Sequence, residues 1–234
     1  PHQEPMEEIH FTLPGFSDSI LIDVEGANLE MRDNRLDYWI YKFDKPLASG
    51  DSLLIKVENY LISKGFENEV SQTSVTQNGS FFNNGSLFPD FGYQSGYEIS
   101  DKNRRKKMEL PPKRRMPRLN PKDSVSRMTN YVGADWVSMH TTFRTAPDQI
   151  AVAPGSLKKE YEENGKKVFE YELDHTALNF FSFISARYQV TRERWNEMDL
   201  EVYHIPSHSY NVENMLESMK KSLSYYQENF GPYM

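Results

Sequence analysis

Ile150-Ala-Val-Ala-Pro-Gly155, then Asn164-Gly165, then Val168-Phe-Glu-Tyr-Glu-Leu173 is the stretch that decides the fold class. Two short runs of strand composition are each followed or preceded by a strong turn signal. Asn-Gly supplies the positive-φ positions that a two-residue hairpin turn requires, and Pro-Gly marks a second reversal. The segment therefore reads as two successive β-turns of a meander.

The same grammar extends in both directions. Ile9-His-Phe-Thr-Leu13 alternates with period two, and Ile20–Val24, Leu36–Phe43 and Leu53–Leu61 follow. Beyond the middle of the chain come Trp136–Phe143, Ala186–Val190 and Leu200–Tyr203. Asp33-Asn34, Ser49-Gly50-Asp51, Asn78-Gly79 and Asn84-Gly85 punctuate the first half. Tyr and Phe number 14 each, which suits pleated, half-buried surfaces. Many short strands with regular turns predict a mainly β protein, a β-sandwich or saddle-like set of antiparallel sheets over residues 1–205. With 234 residues the chain can bury a substantial core without staples.

Two intervals depart from this pattern. Residues 82–131, from Phe82 to Tyr131, are rich in Gly, Pro, Asn and charge, and form an irregular insert. Short helical turns are expected at Asp101–Lys107, then extended chain through Pro111-Pro112 and Pro117. Between Lys102 and Arg118 there are nine basic residues against Glu109 alone. This is a local charge of +8 in a chain of −7, so the other 217 residues carry −15. The segment has no interleaved aromatic residues for base stacking and sits in an acidic chain. An exposed loop paired with the acidic body is expected, with no nucleic acid; contact with an anionic surface is the lesser alternative, and nothing in these residues shows direct membrane contact.

The second interval is 206–234. Val212, Met215, Leu216, Met219, Leu223 and Tyr226 form one apolar stripe at helical spacing. Asn211 stands at the N-cap position, Glu213 in the first turn, and Gly231-Pro232 stops the helix. One C-terminal amphipathic helix after so many strands reads as a linker to something that follows, with Met215, Leu216, Met219, Leu223 and Tyr226 as an interdomain contact.

Constellations for chemistry are few. The sequence contains no Cys, which excludes disulfides, thiolate nucleophiles and Cys-ligated zinc. No apolar run approaches the ~20 residues of a helical membrane span. His204-Ile-Pro-Ser-His208 has the His spacing of a zinc helix. However, Ile205 stands where the general base should be, and Pro206 breaks the helix, so a strand-end turn with surface His is expected. Asp174-His175 has no partnered nucleophile motif, and Gly-x-Ser-x-Gly and P-loop patterns are absent. Asn78-Gly-Ser80 and Asn84-Gly-Ser86 fit the glycosylation acceptor pattern but read first as turns. No catalytic residue and no metal ligand are assigned, and no cofactor is expected on this chain.

Three groups of residues, in order, resemble one family. Pro46-Leu-Ala-Ser-Gly-Asp-Ser-Leu-Leu-Ile-Lys56, Asn78-Gly-Ser-Phe-Phe82 and Leu87-Phe-Pro-Asp-Phe-Gly-Tyr93 form the first. Phe143 to Gly155 with Phe181-Ser-Phe-Ile-Ser-Ala-Arg-Tyr188 form the second, and Ser224-Tyr-Tyr-Gln-Glu-Asn-Phe-Gly-Pro-Tyr233 the third. Together they are similar to the N-terminal β-domain of aminopeptidase N-type zinc metallopeptidases and cover most of the chain from Pro46 onward.

The resemblance implies a non-catalytic wall of a peptide-substrate cleft, with Asn78, Gly79 and Ser80 near the substrate. It implies zinc in a following catalytic domain, reached through the 206–234 helix. Phe88-Pro89 leads here to Asp90-Phe-Gly-Tyr93 rather than to the family's Cys and Asp-Glu-Pro, and where the family places an amine-binding Glu or Gln, Asn78-Gly79-Ser80 carries no carboxylate. That variant looks closest to a divergent bacterial group fused to an ABC-transporter permease-like membrane region. This implies a membrane-anchored parent with the present domain extracytoplasmic. A ligand- or protein-binding β-sandwich of a membrane-associated transporter complex, its partner met by the Phe82–Tyr131 stretch, is the open alternative.

Overall fold

The computed structural model describes residues 5–15, 17–65, 73–92, 98–113 and 136–232. In chain order the first strands are β1 (Met6–Thr12), β2 (Ser19–Val24), β3 (Ala27–Asp33), β4 (Tyr38–Leu47) and β5 (Ile55–Tyr60). Then come β6 (Val75–Thr76), β7 (Gly79–Asn83), helix α1 (Asn84–Leu87), β8 (Asp90–Phe91) and helix α2 (Lys102–Lys107). After these lie β9 (Trp136–Val137), β10 (His140–Thr145), β11 (Ile150–Val152), β12 (Ser156–Glu163) and β13 (Lys166–Glu172). The chain closes with β14 (Ala177–Leu178), β15 (Ser182–Ala186), β16 (Gln189–Trp195), β17 (Met198–His204) and helix α3 (Val212–Phe230). The expected class, mainly β with antiparallel sheets and one long C-terminal helix, is the class observed.

The strands group into two compact units that interleave along the sequence. The first comprises residues 1–64, 82–139 and 173–182. Its main sheet has the order β3-β4-β1-β8, and β2 pairs with β5 in a two-stranded sheet. Alternation decides the core. Ile9 and Phe11 from β1, Trp39, Tyr41 and Phe43 from β4, and Ile22 and Val24 from β2 form one buried cluster, so the two sheets face each other. Tyr41 is in edge-to-face contact with Phe11 at 5.6 Å, and its hydroxyl donates to the Ile22 carbonyl at 2.8 Å. That bond ties one sheet to the other and satisfies the buried phenol, while burial, first of all, raises the Tyr41 pKa.

The second unit comprises residues 65–81, 140–172 and 183–234. It has a sheet of order β10-β13-β12, a sheet of order β11-β15-β7-β6, and the β16–β17 hairpin with α3 against it. Asn164 and Gly165 close the β12–β13 hairpin with φ of 50° and 71°, the mirror-image turn that Asn-Gly predicts. The meander expectation needs correction. β11 pairs with β15 and β12 with β13, so Pro154-Gly155 passes the chain from one sheet to another rather than closing a hairpin. Asn84-Gly85 is likewise not a simple turn but the start of one-turn α1, capped by the Asn83 side chain.

Candidate functional site

Gln77-Asn78 is the turn that joins β6 to β7, Gly79 and Ser80 open β7, and the junction is fixed by unusually close packing. A Cβ placed on Gly79 would lie 1.8 Å from the Ser185 carbonyl oxygen and 2.7 Å from the Ala186 Cα. Only glycine lets β7 approach β15 this closely. One residue on, Ser80 Oγ meets Ser185 Oγ at 2.9 Å, and Ser185 Oγ donates to Gln149 Oε1 at 3.0 Å. Thr145 Oγ1 donates to the same Gln149 oxygen at 2.8 Å. Because Ser185 gives its single proton to Gln149, Ser80 must be the donor to Ser185. Thr145, Gln149 and Ser185 are all buried, so this is a satisfied polar ladder beneath the turn.

Arg187 holds the exposed side of the turn. Its Nη1 donates to the Gln77 carbonyl at 2.8 Å and to Asn78 Oδ1 at 3.3 Å, and its backbone N–H donates to the Asn78 carbonyl at 3.3 Å. Its Nε donates to the Asp148 carboxylate. The Arg187 hydrogen bond holds the Asp148 carboxyl below its ordinary value. Among these residues Asp148 alone is a carboxylate, and it is engaged with Arg187. The turn offers Asn78, the ladder fixes it, and no acid–base pair is present. Sequence reading singled out Asn78, Gly79 and Ser80 but missed Gln149, Thr145, Ser185 and Arg187. No motif marks them, because long-range strand pairing brings them in.

The apolar stripe of α3 is divided by the structure. Val212 and Leu216 are buried with Leu200 of β17, and Trp195, Val202, Met219 and Leu223 pack around them. Lys220 fastens the helix from the side, reaching Glu193 Oε1 of β16 at 2.8 Å and Glu217 Oε1 at 2.5 Å. Residues 212, 216, 219, 223, 226 and 230 continue one seam, yet its last turn is bare. Tyr226 is 59% and Phe230 77% exposed, their rings 5.7 Å apart, with Tyr225 beside them. Met215 is also exposed, on the rim of a cavity of about 400 Å³ that includes Tyr203, His204, His208 and Tyr210. Asn211 occupies the N-cap position without capping; its Oδ1 accepts instead from Asn214 Nδ2 at 2.9 Å.

His204 differs from the surface residue expected. It ends β17 at 8% exposure, with Nε2 3.0 Å from Thr191 Oγ1, while His208 lies in a 3₁₀ turn after Pro206. The two imidazoles therefore do not share a helix face. Among the described residues no group of three His, Asp or Glu side chains is placed to hold a metal ion. Among the described residues the donor set therefore does not fit zinc.

Comparison with known proteins adds the fold's relatives. No protein-family model matches, and no curated protein sequence matches. Solved structures do. An M1 zinc metallopeptidase from Deinococcus radiodurans is similar, with a TM-score of 0.51 at 13% identity. A mutant form of that enzyme bound to a Tyr-Ser-Ala substrate has a TM-score of 0.56 at 12% identity, and a two-domain M1 zinc metallopeptidase mutant bound to L-arginine 0.53 at 12%. Each likeness covers 99% of this chain and 47% of the other, so the chain spans about half the length of these solved proteins. At such identity the shared feature is the fold.

Proposed function

We propose that this chain is the β-rich, non-catalytic N-terminal part of an aminopeptidase N-type zinc metallopeptidase-like protein, forming one wall of a peptide cleft. The observation that carries the reading is the coverage: nearly the whole chain superposes on just under half of zinc metallopeptidases, one of them two-domain. Two further features support it. The end of the α3 seam, Tyr226 and Phe230 with Met215 nearby, offers apolar contact to a following catalytic half, which would carry the zinc. Asn78 stands on a turn fixed by the polar ladder, as a residue that meets substrate must be.

The finer reading rests on the variant Phe88-Pro89-Asp90-Phe91 pattern. On that finer reading the parent would belong with the bacterial, permease-fused group, membrane-anchored, with this part extracytoplasmic. The test is the open reading frame and its product. A His-Glu-x-x-His motif with a downstream Glu is expected within roughly the next hundred residues, and the longer protein should hydrolyse peptides only when zinc-loaded. A following sequence without that motif would overturn the proposal in favour of a ligand- or protein-binding module.

A further inference from the structure

The basic helix α2 is anchored by one of its own cations and leaves the others bare. Asp101 caps it, its side chain accepting from the Arg104 N–H at 2.7 Å. Arg105 is buried. Its Nη1 donates to Glu98 Oε1 at 2.7 Å and to the Ile99 carbonyl at 2.8 Å, and its Nε donates to the Pro111 carbonyl at 2.8 Å. The helix end is closed as firmly: the Leu110 N–H reaches the Arg105 carbonyl at 3.0 Å and the Glu109 N–H the Lys106 carbonyl at 3.2 Å. Glu109 takes the left-handed position at φ 55°, where glycine is usual.

This latch has a consequence for charge. Lys102, Arg104, Lys106 and Lys107 are exposed, and none of them makes an ion pair among the described residues. Of the expected pairing with acidic residues, the described part of the segment shows Arg105 with Glu98. At about 100° per residue the four cations radiate over every face of the helix but the one Arg105 buries. Immediately after them, Met108 and Leu110 are 52% and 41% exposed. Met108 stands one helical turn from Arg104 and next to Lys107, so an apolar side chain adjoins cations that make no ion pair among the described residues, which matches a surface that is anionic at its face and apolar beneath.

We infer that α2 and the turn after it are a docking surface for an anionic lipid bilayer. Arg104 and Lys107, on the face that Met108 continues, would contact headgroup phosphates and carboxylates, Lys102 and Lys106 would add attraction from the flank, and Met108 and Leu110 would enter the interface. A nucleic acid or an acidic protein would use the cations but gain little from Met108 and Leu110. The inference is independent of the peptidase reading.

The test is co-sedimentation of the 234-residue chain with vesicles of phosphatidylcholine alone, or with about one-third phosphatidylserine. Binding to the anionic vesicles is expected, weakened by salt. Removing one cation, as in Lys106→Gln, should cost about fivefold in partitioning, and replacing all four by Gln several hundredfold. Met108→Ser with Leu110→Ser should weaken binding further at constant charge, whereas Lys102→Arg, Lys106→Arg and Lys107→Arg together should preserve it. Binding equal on neutral and anionic vesicles, or retained in the four-Gln variant, would overturn the inference. So would binding indifferent to Met108 and Leu110 and matched by duplex DNA or polyglutamate. If the four-Gln variant loses its far-UV signal, the Arg variant and the salt series decide the outcome by themselves.

Discussion

Leu216→Ala and Phe230→Ala sit on one helical seam and should behave oppositely in two lengths of the protein. Leu216 is 6% exposed and packed with Leu200 and Val212, so truncation removes three buried carbons. At about 0.8 kcal/mol per buried methylene the transfer loss is ~2.4 kcal/mol, and a residual cavity raises it to about 3 kcal/mol. This loss belongs to the chain's own α3–hairpin cluster and should appear in full whether or not further protein follows. Phe230 is 77% exposed, so in the 234-residue chain its truncation should change stability by no more than about 0.5 kcal/mol. In the longer protein, if the bare end of the seam is covered there, the same change should cost about 2 kcal/mol or more. Urea unfolding followed by far-UV circular dichroism reads both, and Trp195, which packs on this cluster, adds a local fluorescence signal. Equal, small losses for Phe230→Ala in both lengths would refute the idea that the last turn of α3 is an interface.

Gly79→Ala should be among the most damaging single-atom additions, since its Cβ would overlap the Ser185 carbonyl at 1.8 Å. Faster amide exchange in residues 75–83 and 182–186 is the measurement, and unchanged protection would contradict the packing. Glu201 accepts from the Tyr203 hydroxyl and from Arg192 Nε at 2.6 Å, and its pKa is lowered by the Tyr203 bond first and then by Arg192. Because its folded pKa lies below the ordinary 4.5, that stabilisation is present above about 4.5 and is lost as pH falls through the folded value. Tyr203 is raised, by burial first and then by Glu201, so its contribution is present below about 10 and is lost as the pH rises through its folded value. Glu201→Gln should flatten the acid limb of hairpin stability, read as the urea midpoint against pH; an unaltered profile would rule this out. Elemental analysis of the chain should find no stoichiometric zinc, because buried His204 is bonded to Thr191 and, among the described residues, no group of three His, Asp or Glu is placed to hold a metal. A tight zinc lost on replacing His204 or His208 would reverse that conclusion.

How much was legible depends on whether local pattern or distant pairing set the structure. Period-two runs such as Ile9–Leu13 and the Asn164-Gly165 turn speak for themselves, because the burial that selects them is local. β12 was not legible. Its eight residues are all exposed, so Leu157-Lys-Lys-Glu-Tyr-Glu-Glu163 carries no alternation, and pairing with β13 alone makes it a strand. β3, exposed through most of its length, was missed for the same reason. Trp136–Phe143 and Ala186–Val190 read as single runs, yet the first divides into β9 and β10, and the chain turns between β15 and β16 at residues 187–188. In the candidate site, Asn78-Gly79 announced a turn, but nothing announced that Gly79 lies against Ser185 across more than a hundred residues of sequence. Expectations that fall on residues 114–135, including extended chain at Pro117 and the remaining cations to Arg118, lie outside the described residues.

The described part of the basic segment shows what charge counting leaves out. An excess of acid elsewhere in the chain predicts pairing only if long side chains gain more from an ion pair than they lose in rotamer freedom, and for exposed pairs that gain is about 0–1 kcal/mol. Arg105 escapes this limit because its partners are two carbonyls and a carboxylate in a buried fork, where a planar guanidinium loses little freedom per bond. Lys102, Arg104, Lys106 and Lys107 show no such fork among the described residues and are exposed. The same rule separates Arg187, whose bonds to Gln77 and Asn78 shape a turn, from Arg194, paired with Asp199 between two exposed side chains. Arg105 and Arg187 shape their loops by meeting backbone carbonyls, whereas Lys102, Arg104, Lys106 and Lys107 are exposed and make no ion pair among the described residues.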